Sequence, residues 1–157
     1  MTLVLLSFGS NLGDREKTLA GAWDMLGHTP DITALQLSPF YETEPVGGPE
    51  SQGMYINAAG TIATTLLPLP LLTELHKIET AFGRIRRERW GARTLDIDIL
   101  LYGNMVLNTP ELTLPHPEML HRRFVLQPAN DIAADWIHPG AGLTIGELTA
   151  TCATYMS

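Results

Sequence analysis

Tyr55-Ile56-Asn57-Ala58-Ala59-Gly60-Thr61-Ile62-Ala63-Thr64 is a run of β-branched and small side chains, and it reads as a strand. What flanks it decides the architecture. Upstream, Ile32 to Ser38 reads as another strand, and only a loop rich in Pro and Gly, Thr43 to Gly53, separates the two. Downstream, Leu71, Leu72, Leu75 and Ile78 form an apolar stripe at helical spacing, which predicts a helix from Pro70 to Phe82 ended by Gly83. The chain opens on Leu3 to Phe8, an apolar run stopped by Gly9, followed by a turn from Gly9 to Asp14. Asp14 can cap a helix carrying Leu19, Ala22, Trp23 and Leu26, with Gly27 as its stop. Gly83 to Ala92 is a second polar loop, and Leu95 to Tyr102 is a fourth strand.

The order β-α-β-β-α-β predicts an α+β fold of the ferredoxin-like, split βαβ kind: a mainly antiparallel sheet with helices packed on it. A C-terminal extension follows. Asn108 to Pro117 reads as irregular, Glu118 to Leu120 as a turn of helix, Phe124 to Leu126 as a short strand, and Ile145 to Thr151 as a closing helix. No internal repeat or linker interrupts the chain, so one domain over residues 1–157 is expected.

The bulk properties narrow the function. The net charge of −7 disfavours general binding to nucleic acid or to anionic membrane. Cys152 is the only cysteine, so neither an internal disulfide nor a Cys-rich metal site can form, which suits a cytoplasmic protein. Met1 to Leu6 has no basic flank or cleavage site and reads as a buried strand, not a signal peptide. No apolar run approaches the ~18 residues of a membrane span.

The chemistry concentrates in Arg93-Thr94-Leu95-Asp96-Ile97-Asp98-Ile99-Leu100. Strand side chains alternate, so Asp96 and Asp98 share one face, with Cα atoms roughly 6–7 Å apart. Two such carboxylates can hold hard cations such as Mg²⁺, with water and phosphate oxygens completing the shell. They also fit a solvated acidic strand face. Just upstream lie Arg84, Arg86, Arg87, Arg89 and Arg93, half of the ten basic residues, with Glu88 and Trp90 among them. That window carries +4 and leaves −11 for the rest of the chain. Guanidinium forks match phosphate oxygens, so an arginine loop running into a carboxylate pair suits a Mg²⁺–polyphosphate. A solvated basic loop, or a patch for RNA, is the plainer alternative.

There is no G-x-x-x-x-G-K-[ST], so the chain is not a P-loop enzyme, and Gly9-Ser10-Asn11-Leu12-Gly13 lacks G-x-G-x-x-G spacing. His116 sits between Pro115 and Pro117, with Arg122 and Arg123 a few residues on. Tyr55 and Asn57 share a strand face, and a ring beside a carboxamide suits a flat heterocycle. In isolation, Tyr55 and Phe124 read first as plain core aromatics.

Taken in order, Phe8-Gly9-Ser10-Asn11-Leu12-Gly13, Ser38-Pro39-Phe40-Tyr41-Glu42-Thr43-Glu44-Pro45-Val46-Gly47, Tyr55-Ile56-Asn57-Ala58-Ala59, Gly83-Arg84-Ile85-Arg86, Arg89-Trp90-Gly91-Ala92-Arg93-Thr94-Leu95-Asp96-Ile97-Asp98-Ile99-Leu100, Pro115-His116-Pro117-Glu118-Met119 and Arg122-Arg123-Phe124-Val125-Leu126 resemble one family. It is the hydroxymethyl-dihydropterin pyrophosphokinases of folate biosynthesis, matched from about residue 3 to 140. The resemblance implies transfer of pyrophosphate from MgATP to 6-hydroxymethyl-7,8-dihydropterin, with AMP leaving.

It also implies roles, residue by residue. Asp96 and Asp98 match ligands of two Mg²⁺ ions; no residue is an obvious general base, and Asp98 or a metal-bound hydroxide is the candidate proton acceptor. Arg84, Arg86 and Arg93 match arginines of a mobile catalytic loop, and Trp90 matches the tryptophan that seals it. His116 and Arg122 match ATP-phosphate contacts, and Glu79, Ile99, Leu112 and Thr113 match the nucleotide side. Tyr55 and Phe124 match two rings that sandwich the pterin, with Thr43, Pro45, Val46 and Asn57 along its edge. Pro117 stands where some members carry an aromatic residue, and Glu44 where others carry proline. The resemblance implies small-molecule partners, no nucleic acid or membrane, and a monomer. Two alternatives remain at this point: a ferredoxin-like RNA-binding module, and a Mg²⁺-dependent phosphoryl or nucleotidyl transferase with another acceptor.

Overall fold

The computed structural model describes residues 1–11, 14–43, 55–83 and 95–152. Seven strands and four helices run in the order β1 (Thr2–Ser10), α1 (Arg15–Gly27), β2 (Ile32–Leu37), β3 (Tyr41–Thr43), β4 (Tyr55–Thr64), α2 (Pro68–Ala81), β5 (Leu95–Tyr102), β6 (Leu107–Asn108), β7 (Thr113–Leu114), a 3₁₀ turn (Met119–His121), α3 (Arg123–Ala133) and α4 (Ile145–Thr151). The main sheet has the order β2-β4-β1-β5, with β3 also paired to β4. Its pairings are all antiparallel. β1 and β2 therefore straddle β4, and β4 and β5 straddle β1, which is the split βαβ arrangement read from the sequence.

Local chemistry explains most boundaries. The Asp14 carboxylate accepts from the Lys17 amide at 3.2 Å and caps α1 as expected. The helix runs through Gly27, and the N–H of His28 closes it on Leu26 O and Met25 O. α2 starts at Pro68, two residues before the expected Pro70, because a proline in the first turn forfeits no helical hydrogen bond. Gly83, with φ of 90°, ends it in a backbone region that side chains disfavour.

Two apolar layers hold the molecule. Val4, Leu6 and Phe8 of β1, with Ile97 and Ile99 of β5, pack against Leu19 and Leu26 of α1 and Leu71, Leu75 and Ile78 of α2. On the opposite face Leu5, Ala59 and Leu101 pack under Val125, Leu126 and Ala129 of α3 and Ile145 and Leu148 of α4. Burying each such leucine contributes about 2 kcal/mol. With helices on both faces, nine of the ten residues of β4 are buried, which is why its sequence shows no polar alternation.

The extension departs from the sequence reading. Phe124 to Leu126 is not a strand but the first turn of α3. Three apolar residues in a row favoured the strand, and Pro128 lies inside the helix that forms instead. Yet Val125, Leu126, Ala129 and Ala133 recur at helical spacing, and all are buried. Asn108 to Pro117 is not wholly irregular either, since β6 and β7 pair Leu107 with Leu114 and Asn108 with Thr113. The three-residue β3 was not anticipated and ends on Thr43, the first residue of the expected loop; residues 44–53 of that loop lie outside the described residues. The closing helix was read correctly, and Thr144 with Glu147 forms a full capping box at its start. Arg123 ties α3 to α4: its Nη1 donates to Thr149 O at 2.9 Å and Cys152 O at 3.4 Å, satisfying carbonyls at a helix C-terminus.

Candidate active site

α3 and α4 cover only one end of their face of the sheet. At the other end the floor is made of alternate residues on three neighbouring strands. Gly9 of β1 lies opposite Asn57 of β4 on one side and Asp96 of β5 on the other, and Ser7 lies opposite Ala59 and Asp98. Over this floor opens a cavity of about 450 Å³ lined by Thr43, Tyr55, Asn57, Asp96, Asp98, Arg122 and Phe124, together with Ser7, Gly9, Glu118, His121 and Val125. The Asn57 amide is fixed by donating from Nδ2 to Thr43 Oγ1 at 2.5 Å. A Cβ on Gly9 would stand 3.4 Å from Asn57 Oδ1, so glycine keeps the middle of the floor flat. The Arg122 guanidinium carbon lies 5.9 Å from the Phe124 ring centre.

β5 is an edge strand, and a second cavity of about 340 Å³ lies along it. Its walls are Leu72, His76 and Glu79 of α2, Asp96 to Ile99 of β5, and Pro110 to Thr113, His116 and Pro117 of the extension. Asp96 and Asp98 line both cavities and so stand at the boundary between them.

The supports of this boundary are specific. Glu79 is 2% exposed, and its Oε2 accepts the Ile97 amide, the one between the two aspartates, at 2.8 Å. This supplies a partner that an edge strand would otherwise lack. His116 is anchored by its own amide, which donates to Leu100 O at 3.0 Å, and its Nδ1 accepts from the Glu118 amide at 3.1 Å. An accepting Nδ1 places the proton of the neutral ring on Nε2. Burial pulls the His116 pKa below the ordinary 6.5; the Asp98 charge opposes the shift and the Arg122 charge adds to it.

Among the described residues no three His, Cys, Asp or Glu side chains converge to cage a metal. The donor set is a pair of carboxylates facing two cavities. That fits Mg²⁺, which is held by one or two carboxylates plus phosphate oxygens and water, and does not fit a zinc site.

Of the residues expected from the sequence, Thr43, Tyr55, Asn57, Arg122 and Phe124 gather in the first cavity, and Glu79, Ile99, Leu112, Thr113 and His116 in the second. Arg122 lines the first cavity and His116 the second, and the Arg122 charge still acts on the His116 ring. Pro45, Val46, Arg84, Arg86, Trp90 and Arg93 lie outside the described residues. Sequence reasoning missed Ser7, Gly9, Glu118, His121 and Val125 in the first cavity, and Leu72, His76, Pro110, Glu111 and Pro117 in the second. Ser7 and Gly9 carry a recoverable signal, since they alternate with the apolar Leu6 and Phe8. His76 stands one helical turn before Glu79 and had the same kind of signal.

A model of the 7,8-dihydro-6-hydroxymethylpterin-pyrophosphokinase family matches residues 5–134. The chain is 41% identical over 141 residues to the 2-amino-4-hydroxy-6-hydroxymethyldihydropteridine pyrophosphokinase of Haemophilus influenzae, covering 90% of this chain and 88% of that protein. It is 40% identical over 149 residues to the enzyme of the same name from Pseudomonas aeruginosa, covering 95% and 91%. Among solved structures, it superposes on an HPPK-DHPS in complex with substrates with a TM-score of 0.72, covering 96% of this chain but 43% of that longer one. At 14% identity that likeness supports the fold alone. By the span of the family match and the identity to full-length relatives, the chain belongs to the 7,8-dihydro-6-hydroxymethylpterin-pyrophosphokinase family.

Proposed function

We propose that the two cavities divide the substrates of the family's reaction, transfer of pyrophosphate from ATP to 6-hydroxymethyl-7,8-dihydropterin in folate biosynthesis, with the pterin in the first and the nucleotide in the second. The observation that carries this reading is the meeting of both cavities at Asp96 and Asp98.

In the first cavity Tyr55 and Phe124 stack on the two faces of the pterin. Asn57, held by Thr43, reads the donors and acceptors along its edge. In the second, Leu112, Thr113 and Ile99 hold the nucleoside end, and the Nε2–H of neutral His116 donates to a phosphate oxygen. Arg122 meets the phosphates from the pterin side. Asp96 and Asp98 would hold Mg²⁺, two ions in this reading, which would neutralise charge on the phosphate oxygens.

The hydroxymethyl oxygen attacks the β-phosphorus in line. The new O–P bond forms as the bond from the β-phosphorus to the bridging oxygen breaks, and AMP leaves with that oxygen. Asp98, which borders both cavities, takes the hydroxyl proton. Rate enhancement here is chiefly positioning and electrostatics. Arg84, Arg86 and Arg93 complete the phosphate site, Trp90 closes it, and Pro45 and Val46 complete the pterin edge; these six roles rest on the family resemblance. The protein works as a monomeric, single-domain cytoplasmic enzyme on small molecules. Its charge of −7 supports the absence of a nucleic-acid partner, and no helix of the described residues is long and apolar enough to cross a membrane.

The test is product analysis with ATP, Mg²⁺ and the reduced hydroxymethyl-pterin. AMP and a pterin diphosphate are expected in equal amounts, with no AMP when the pterin is omitted. ADP as the nucleotide product, or equal turnover with unrelated alcohols, overturns the reading in favour of another transferase.

A further inference from the structure

The wall of the second cavity is a hairpin whose tip is closed in an unusual way. β6 and β7 pair through Leu107 with Leu114 and Asn108 with Thr113, leaving Thr109 to Leu112 as the turn. The Thr109 amide donates to Leu112 O at 3.0 Å. In an ordinary two-residue hairpin the return bond runs from the amide of the fourth turn residue to the first residue's carbonyl. Here the Leu112 amide donates to Thr109 Oγ1, at 3.1 Å, and the same hydroxyl donates to Leu112 O at 3.0 Å. A single side-chain hydroxyl thus clamps both polar groups of the Leu112 backbone, a substitution Ser and Thr side chains can make in turns.

The clamp is placed where it matters. Thr109 does not line the cavity, yet Pro110, Glu111, Leu112 and Thr113, the residues it holds, all do. Leu112 packs against the main core at one end of the tip, but Pro110 and Glu111 are exposed and have no such support. The hairpin has only two residues in each strand, so its ladder alone is marginal.

We propose that Thr109 is a positioning residue for the nucleotide: its hydroxyl sets the Pro110–Glu111 turn and so the shape of the cavity wall against which ATP binds. This rests on the reading of the second cavity as the nucleotide side. Removing the hydroxyl leaves the Leu112 amide without its acceptor and lets the wall sample other shapes before ATP selects the binding one. The cost falls on nucleotide binding and not on the chemical step.

Thr109→Val keeps the shape and removes the hydroxyl, and Thr109→Ser keeps the hydroxyl. Thr109→Val is expected to raise the KM for MgATP about threefold to tenfold, the equivalent of one net hydrogen bond. The KM for the pterin and kcat stay within about twofold, and Thr109→Ser restores the wild-type KM. Hydrogen exchange at the Leu112 amide should accelerate in the Val variant and not in the Ser variant. A merely structural threonine would lower thermal stability without splitting the two KM values, and that outcome overturns the proposal. Should the Val variant fail to fold, Thr109→Ala carries the same comparison. The underlying reading is checked separately on the wild-type protein: a non-hydrolysable ATP analogue with Mg²⁺ should slow exchange across residues 107–114. Protection there with an unchanged KM in Thr109→Val sinks the role of Thr109 alone. No protection there sinks the assignment of the cavity and, with it, this proposal.

Discussion

Replacing Glu79 by alanine tests the bond that braces the strand carrying Asp96 and Asp98. The side chain is 2% exposed, and its Oε2 accepts the Ile97 amide at 2.8 Å. Without it, a buried amide on an edge strand has lost its acceptor, which costs about 1–3 kcal/mol. The side-chain methylene also loses its packing, worth about 0.8 kcal/mol. Together these come to roughly 3 kcal/mol, which for a chain of this size lowers the melting temperature by about 6–12 °C. Glu79→Gln keeps an oxygen in the accepting position and should fall by less than half as much. Thermal unfolding followed by circular dichroism gives the first number, and exchange at the Ile97 amide gives a local one. Because Asp96 and Asp98 flank that amide, the KM for MgATP should rise in the same order, Ala above Gln above wild type. If Glu79→Ala melts with the wild-type protein, or exchange at Ile97 is unchanged, this carboxyl does not brace the strand and the argument fails.

Asp98→Asn, a change at an exposed position of β5, should lower kcat at least about a hundredfold, as loss of a charge-stabilising group does, while the melting temperature moves by less than about 1 °C. A variant that retains a tenth of the wild-type rate removes Asp98 from the chemistry. Tyr55→Ala should raise the pterin Kd about tenfold by calorimetry, the scale of one lost ring stack with its burial, and leave the affinity for an ATP analogue within about twofold. Equal losses on both sides would mean that the cavities are not divided by substrate. His138 is 4% exposed, and its Nδ1 accepts from the Gly140 and Ala141 amides at 3.1 and 2.9 Å. Burial holds its pKa below the ordinary 6.5, so on acidification the unfolded chain takes up the proton first. The contribution is complete above pH 6.5 and is lost as the pH falls towards the lowered folded value. Urea unfolding between about pH 5 and 7 should show this loss, and His138→Asn, which keeps an acceptor but cannot titrate, should flatten it. A His138→Asn profile parallel to wild type would refute the assignment.

The sequence was most legible where a strong period met a clear stop. β4 and β5 begin and end where their apolar runs do, and α1 starts on the aspartate that caps it. The pairing of Asp96 with Asp98 followed from alternation alone. Less legible were features set by partners distant in the chain. Nothing local to Ser7 or Gly9 says that they lie beside Asp98 and Asp96, because that depends on the register of β1 against β5. β3 has three residues and exists through its pairing with β4, so it has no period of its own. At α3 a local signal misled: Phe124 to Leu126 looked like a strand, and the buried face against Leu5 and Leu101 decided in favour of a helix that even accommodates Pro128.

Two adjacent guanidinium groups stand at the start of α3, and they are not equivalent. Arg122 lines the first cavity, whereas Arg123 is turned away and held by carbonyl groups at the end of α4. Gln127, one turn on in α3, accepts from the same guanidinium at 3.2 Å. Cutting the chain back before Thr149 would take away the two carbonyl acceptors and leave that third one. A segment with hardly any motif content, far from the aspartates in sequence, thus bears on how positive charge is distributed where α3 begins.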